Sequence, residues 1–408
     1  MAARSSAWKI TRKVFDKIHL YAGLISGLIV IAVCLSGTIY VYNTEIKEWA
    51  DSERYFVEAS GERLSLDELK STLENDLQGS VTGVFVQNGQ DRSVQMTLLK
   101  DGEKGRGTTY FVNPYSGEIL ADNTEQTATE KFMRTQFSLH RWLLLDRIEE
   151  PIFESMSNMQ LGRLINGIAT SLFLLGVITG IVIWVPQKAK TWKQGLQVKW
   201  SGNWKRVNHD LHNTMAFYSL IALFIMSATG LFWSFEWYRE GWQKTWDTYQ
   251  APTSKNEVKE ETPTVEPGPV QEFSLELALA KGNETLTYPG NWRISLPKDG
   301  LSPIGLTKYR TGFFARSGAD QISLNQADLS VSETRLFSDL SVRQQIGRSV
   351  KSLHMGDIFG PFTKFLWFLA CLIATSLPIT GTLIWWNKRK KKKRPTSSKV
   401  KKQVAEMA

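Results

Sequence analysis

Cysteine is scarce in this chain, with two among 408 residues, Cys34 and Cys371. Neither sits in a CxxC or CxxCH pattern, so a disulfide framework and a covalently attached haem are both excluded, and each reads as a packing residue. Histidine is almost as rare. Its five residues avoid 44–135 and 238–342, where surface histidines would draw no attention. An HExxH helix, a carboxylate–histidine cluster for hydrolytic zinc, a nucleophile triad, a phosphate-binding glycine loop and a nicotinamide or flavin fingerprint are all missing.

Charge is absent from four stretches, at about 18–42, 164–185, 215–235 and 365–386. Each is of spanning length, since about 20 apolar residues cross a bilayer core. The mean hydropathy of −0.22 then means that spans are diluted by large polar regions. The first apolar run exceeds the length of a signal-peptide core and no clear cleavage site follows it, so it reads as an uncleaved anchor.

The net charge of +9 is unevenly placed: 1–17, 186–208 and 387–408 carry 5, 6 and 10 Lys or Arg against only Asp16 and Glu406. The remainder balances to −10, with 28 basic against 38 acidic residues. Four spans put the three basic segments on one side, the cytoplasm by the positive-inside rule. Both termini are then cytoplasmic and the two long acidic loops external. The run 388–394 (KRKKKKR) reads as a topology and lipid-headgroup anchor rather than a nucleic-acid contact.

The expected order is a basic N-terminus (1–17), a first span (18–43), an external α+β module (44–128), an amphipathic helix and connector carrying His140 (129–163) and a second span (164–185). A basic loop (186–208), a third span (209–236), a linker with a second, degenerate module (237–342), an approach carrying His354 (343–363), a fourth span (364–386) and a basic tail (387–408) follow. Within the first module, Ser65-x-x-Glu68 predicts a capped helix over 64–77. Asn88-Gly89 predicts a tight hairpin, and Asn113, Pro114 and Gly117 a second one. The stretch 251–271, rich in Pro, Glu, Thr and Lys, reads as a disordered linker, and 274–282 as the helix of the second module.

The chain repeats itself. His19 to Gly37 and His212 to Gly230 are both eighteen steps, and Gly23 or Ala216 follows each histidine by four. Ser-Leu-His recurs at 138–140 and 352–354, and a Thr-Gly pair closes the second and fourth spans at 179–180 and 380–381. The expected fold is an α-helical integral membrane protein with four main transmembrane helices in two parallel-repeat units, each carrying a small α+β module outside. Topology puts His19, His209 and His212 at the cytoplasmic ends of the first and third spans, and His140 and His354 at the external approaches to the second and fourth.

Neutral imidazole ligates haem iron and other late transition metals. Two such ligands on one haem leave no open coordination position and favour electron transfer. The small-residue faces at Gly23 and Gly27, and at Gly176 and Gly180, let a flat ring or a helix backbone approach. Interfacial or hydrogen-bonding histidines, a helix-packing role for the glycines and a proton relay through His209 and Asp210 remain open on the residues alone.

In this order, the motifs resemble the PepSY-associated transmembrane family, which includes bacterial inner-membrane ferric-siderophore reductases. The resemblance rests on His19 with Gly23, the Leu-His-Arg-Trp-Leu run around His140, His-Asp-Leu-His at 209–212, Leu-His-Met-Gly at 353–356 and the Thr-Gly endings. The external modules look like PepSY domains, most clearly at 113–118. It implies two non-covalent haem b groups, with His19 and His212 as inner ligands, His140 and His354 as outer ligands, and His209 as an alternative. Gly23, Arg141 and Trp142 are then haem neighbours. It also implies oxidoreductase activity: reduction of a ferric siderophore outside the inner membrane for iron uptake, with electrons from quinol or an unidentified donor. A membrane-anchored PepSY binding module without redox activity, and a siderophore or metal permease, are the competing readings. The sequence implies contact with lipid and none with nucleic acid, and leaves the oligomeric state open.

Overall fold

A bilayer offers no water to backbone N–H and C=O groups, so uncharged runs of spanning length fold as helices. The computed structural model describes residues 2–185, 192–251 and 272–392. Four helices are long and apolar enough to cross a membrane: Trp8–Tyr40, Asn158–Trp184, Trp204–Ser234 and Gly360–Lys390. They belong to α1 (Ala2–Tyr40), α6 (Asn158–Trp184), α8 (Trp204–Ser234) and α13 (Gly360–Lys392).

Each helix starts ahead of the apolar run that predicts it, because polar residues cap and extend it. Ser157 and Gln160 form a capping box that starts α6 before the expected 164, and Asn203 caps α8 before the expected 209. His209 and His212 therefore lie inside a helix rather than at its first turn. The basic stretch expected as a separate N-terminal segment is continuous with the first span, since Lys and Arg are good helix formers whose stems lie along apolar surface.

The chain divides into a helical unit (1–40, 136–239 and 366–408) and a sheet unit (41–135 and 240–365). In the helical unit, α6 packs on both α1 and α8. Val177, Leu223, Ala370 and Ala374 form a buried cluster with Phe173 and Cys34 around it. Cys371 Sγ lies 3.2 Å from the Cys34 carbonyl, so the two cysteines, read separately in the sequence, are neighbours. The short α7 (Trp192–Gly195) precedes α8.

The sheet unit opens with α2 (Asn43–Ala50), α3 (Ser52–Tyr55) and α4 (Leu66–Leu77), and continues with β1 (Gly79–Val86), β2 (Val94–Lys100), β3 (Thr108–Val112) and β4 (Ile119–Asp122). Helix α5 (Ala128–Trp142) carries the chain back to the helical unit. After α9 (Glu236–Thr245), the second half has α10 (Leu275–Thr285), β5 (Gly290–Ser295), β6 (Ile304–Arg310), β7 (Ala319–Leu324), β8 (Val331–Arg335), α11 (Val342–Arg348) and α12 (Val350–Met355). The predicted capping box at Ser65 and Glu68 is present. The expected disordered linker falls almost wholly outside the described residues, as does most of the basic tail.

Two expectations change. The modules are not separate: all eight strands form one antiparallel sheet in the order β4-β3-β2-β1-β5-β6-β7-β8. The seam pairs equivalent strands, with Val84 opposite Ile294 and Val86 opposite Trp292. Helices α4 and α10 close a shared core in which Leu69, Met96, Ile294, Ile304 and Leu324 are all at most 1% exposed. Their N-termini exchange caps: Asp67 Oδ1 accepts from Leu275 N at 2.7 Å, and Glu276 Oε2 accepts from Leu66 N at 3.0 Å. The Asn88-Gly89 turn is likewise a longer connection over 87–93. Val57 N donates to Asp91 O at 3.0 Å and Ser93 N to Tyr55 O at 3.1 Å, which draws this segment away from β1.

Candidate functional site: a two-histidine cavity among the spans

The four spans enclose a cavity of about 440 Å³ at one end of the helical unit. Residues three or four apart lie on one helix face. Thus α1 contributes His19 and Gly23, α6 Gly176 and Gly180, α8 His212 and Ala216, and α13 Pro378 and Gly381.

The two imidazoles face each other, with ring centroids 6.3 Å apart and planes at 85°. Each is tied to the helix opposite through Nδ1. For His19, the acceptors are the Gly176 carbonyl at 2.9 Å and Thr179 Oγ1 at 3.3 Å. For His212, the acceptor is Thr380 Oγ1 at 2.8 Å. A carbonyl only accepts, so His19 Nδ1 carries the proton. Thr380 Oγ1 has the Ser376 and Leu377 carbonyls, each at 3.1 Å, within reach of its one proton, which leaves its lone pair to accept from His212. In both neutral rings the lone pair is then on Nε2, which makes no hydrogen bond among the described residues. This outer-shell arrangement fixes the tautomer of a metal-binding histidine.

The Thr-Gly pairs thereby gain a physical role. A Cβ on Gly180 would stand 3.3 Å from His19 Cε1, and one on Gly381 would stand 3.2 Å from His212 Cε1, so each glycine makes room for a ring. A Cβ on Gly23 or Gly176, by contrast, would meet nothing within 4 Å. Those two positions open onto the cavity.

This set fits a haem. A separation of 6.3 Å between centroids is of the size at which two imidazoles could share one iron. Lys13, Lys17 and Lys388 stand at the cavity mouth with Asp16, an excess of cations suited to propionate carboxylates.

His209 is placed differently. Its side chain is 49% exposed at the cavity edge, 3.6 Å from Asp210 Oδ1, with Asn213 Nδ2 3.2 Å from its Nδ1. Asp210 is itself held by Arg206 Nε at 2.7 Å and Lys199 N at 3.3 Å. His212, not His209, faces His19.

Toward the other end of the helical unit, α5 brings His140 onto α1. Its Nδ1 donates to the Val33 carbonyl at 2.8 Å, and Asn166 Nδ2 donates to the His140 carbonyl at 2.7 Å. A Cβ on Gly37 would stand 2.9 Å from the imidazole, so that glycine is required for the close approach. Burial holds the His140 imidazole below its usual pKa and keeps it neutral.

Next to His140 lies a group of orphaned polar atoms. Arg141 Nε, Trp142 Nε1, Arg163 Nε and Asn166 Oδ1 are buried without hydrogen-bond partners. The Arg141 guanidinium lies 5.7 Å from the Phe137 ring centroid and 5.5 Å from that of Trp142. Burial first, and then the charge of Arg163, lower its pKa. Neither arginine has a carboxylate partner among the described residues. Two guanidinium groups without a carboxylate partner suit an anionic ligand. Arg163 was not singled out in the sequence, where it is the last residue of the connector before the second span.

His354 lies in the last turn of α12 in the sheet unit, followed by Gly356 at φ 82°. Among the described residues, no group of three or more His, Cys, Asp or Glu could hold a metal ion by itself.

Four membrane-length helices around a paired-histidine cavity, in one chain with an eight-stranded antiparallel sheet, define an integral membrane protein of mixed architecture. The chain belongs to the PepSY-associated transmembrane family: the model described as the PepSY-associated TM region matches residues 17–388. No curated protein matches it.

Proposed function

We propose that this protein is a di-haem b oxidoreductase of the bacterial inner membrane that passes electrons to ferric siderophores on the periplasmic side. The observation that carries the reading is the His19–His212 pair, two neutral rings oriented by Nδ1 hydrogen bonds with both Nε2 atoms left for iron. Bound by His19 and His212, haem would supply one-electron transfer, with no coordination position left for oxygen.

The protein's own residues do the rest. Gly176, Thr179 and Thr380 hold the inner rings in orientation, and the apolar walls of α1, α6, α8 and α13 exclude water. Lys13, Lys17 and Lys388 offset carboxylate charge at the inner mouth. For the outer haem the sequence repeat suggests His140 and His354 as ligand candidates. Arg141 and Arg163 supply the cations there. A quinol that gives up two electrons and two protons reduces two chelated Fe(III) to Fe(II). The lower charge weakens the grip of hard oxygen ligands, and iron is released with the chelator intact.

The test is reoxidation. Protein reduced anaerobically with dithionite, freed of excess reductant and mixed with a ferric siderophore is expected to lose its reduced haem absorbance as Fe(II) appears in a ferrozine assay. A haem-loaded protein that stays reduced in the presence of every ferric chelate class contradicts the reductase reading.

A further inference from the structure

Within the sheet unit, a cavity of about 560 Å³ opens beside the ends of β6 and β7, lined by Tyr288, Arg310, Phe314, Arg316, Asp320 and Phe337 among others. Its floor is built in detail. Asp320, 2% exposed, accepts from Tyr288 Oη at 2.7 Å, Arg310 Nη2 at 3.1 Å and Phe337 N at 2.7 Å. Burial and then the hydrogen bond to Asp320 push the Tyr288 phenol up, so its hydroxyl remains a donor. The Arg310 guanidinium lies 3.6 Å from the Tyr288 ring centroid, which fixes the fork in place.

The wall is fixed too. Ser317 N donates to the Ile358 carbonyl at 3.0 Å, and Arg316 bridges Phe359 through the backbone. Gly360, at φ 63°, admits the Gly312 carbonyl where a Cβ would meet it at 2.8 Å. On this anchored loop Phe314 is 65% exposed, and the Arg316 side chain has neither ion pair nor hydrogen bond among the described residues. Two guanidinium groups against one carboxylate leave the cavity one positive charge in excess.

An excess guanidinium next to exposed aromatic faces recognises anions that carry aromatic rings. The volume lies in the range of small-molecule sites, about 300–1,000 Å³. We infer that this cavity binds an iron chelate of the catecholate type, its rings stacking on Phe314 and on the Tyr288–Arg310 pair and its anionic oxygens meeting Arg316 and the free N–H groups of Arg310. The substrate class rests on the reductase reading above; the site stands on its own geometry.

The experiment uses gallium(III) tris-catecholate, which binds like the ferric chelate but is not reduced. It is titrated calorimetrically into the full chain in phosphatidylcholine nanodiscs. Arg316→Glu is expected to weaken binding by about tenfold or more with its thermal midpoint unchanged, because that side chain is exposed, and Phe314→Ala by several-fold. A gallium tris-hydroxamate without aromatic rings is expected to bind about tenfold more weakly than the catecholate. Equal affinity for the two chelates, or no change in Arg316→Glu and Phe314→Ala, overturns the assignment. Displacement of the probe by a tighter-binding short-chain phosphatidylglycerol assigns the cavity to a lipid headgroup and overturns it as well. Gallium binding that is lost in Arg316→Glu, in a protein that reduces no ferric chelate, keeps the site and removes the reductase reading. Ferric-catecholate reduction with unchanged KM in Arg316→Glu does the reverse.

Discussion

Replacing His212 by alanine is expected to leave the purified chain with one haem b where the unaltered chain holds two, while His209→Ala keeps both. The two histidines are three residues apart, but only His212 is turned toward His19. His212 faces His19 across 6.3 Å with its Nδ1 occupied. His209 is half exposed beside Asp210. Without His212 the inner site keeps one imidazole, and its cavity of about 440 Å³ lacks the second anchor. Pyridine haemochrome per mole of protein gives the count. Two haems in His212→Ala, with unchanged low-spin bands, would contradict the inner pairing.

The second large effect separates the two Thr-Gly pairs. Thr380→Val removes the hydroxyl that accepts from His212 Nδ1 at 2.8 Å. Loss of such a partner costs about 10–100-fold in affinity at metal–histidine sites, so inner-haem transfer to apomyoglobin should accelerate by about tenfold or more. Thr179→Val should change it far less, because the Gly176 carbonyl still holds His19 Nδ1 at 2.9 Å while Thr179 Oγ1 is the more distant acceptor at 3.3 Å. Equal effects of the two substitutions would show that these hydroxyls do not act through the imidazoles.

Legibility in the sequence followed the range of each interaction. The spans were readable because absence of charge over some twenty residues is a local property, and the Ser65 capping box because three residues make it. Pairing His19 with His212 came from their shared side of the membrane, with the internal repeat selecting His212 over His209. Gly180 and Gly381 were visible as echoes, but their role depends on which helix each faces, and hydropathy does not say that α6 presents Gly180 to His19 or that α13 presents Gly381 to His212.

The β1–β5 seam was hidden for a related reason. Val84 and Ile294 are more than two hundred residues apart, and an alternating strand reads the same whether its neighbour is local or distant. Expecting separate modules followed from treating each repeat as self-sufficient. The Asn88-Gly89 turn failed because segment 55–57 competes for residues 91–93. Arg163 was overlooked because its meaning is relational: it matters as a second unpaired cation near Arg141.

The most direct measurement is a reduced-minus-oxidised visible spectrum of the detergent-purified chain, made with ample haem supply, with pyridine haemochrome to count haem b. The paired-imidazole account predicts two haem b per chain with the sharp bands of six-coordinate low-spin iron. A chain that carries no haem would contradict it, and would leave the membrane-anchored PepSY binding module as the better reading.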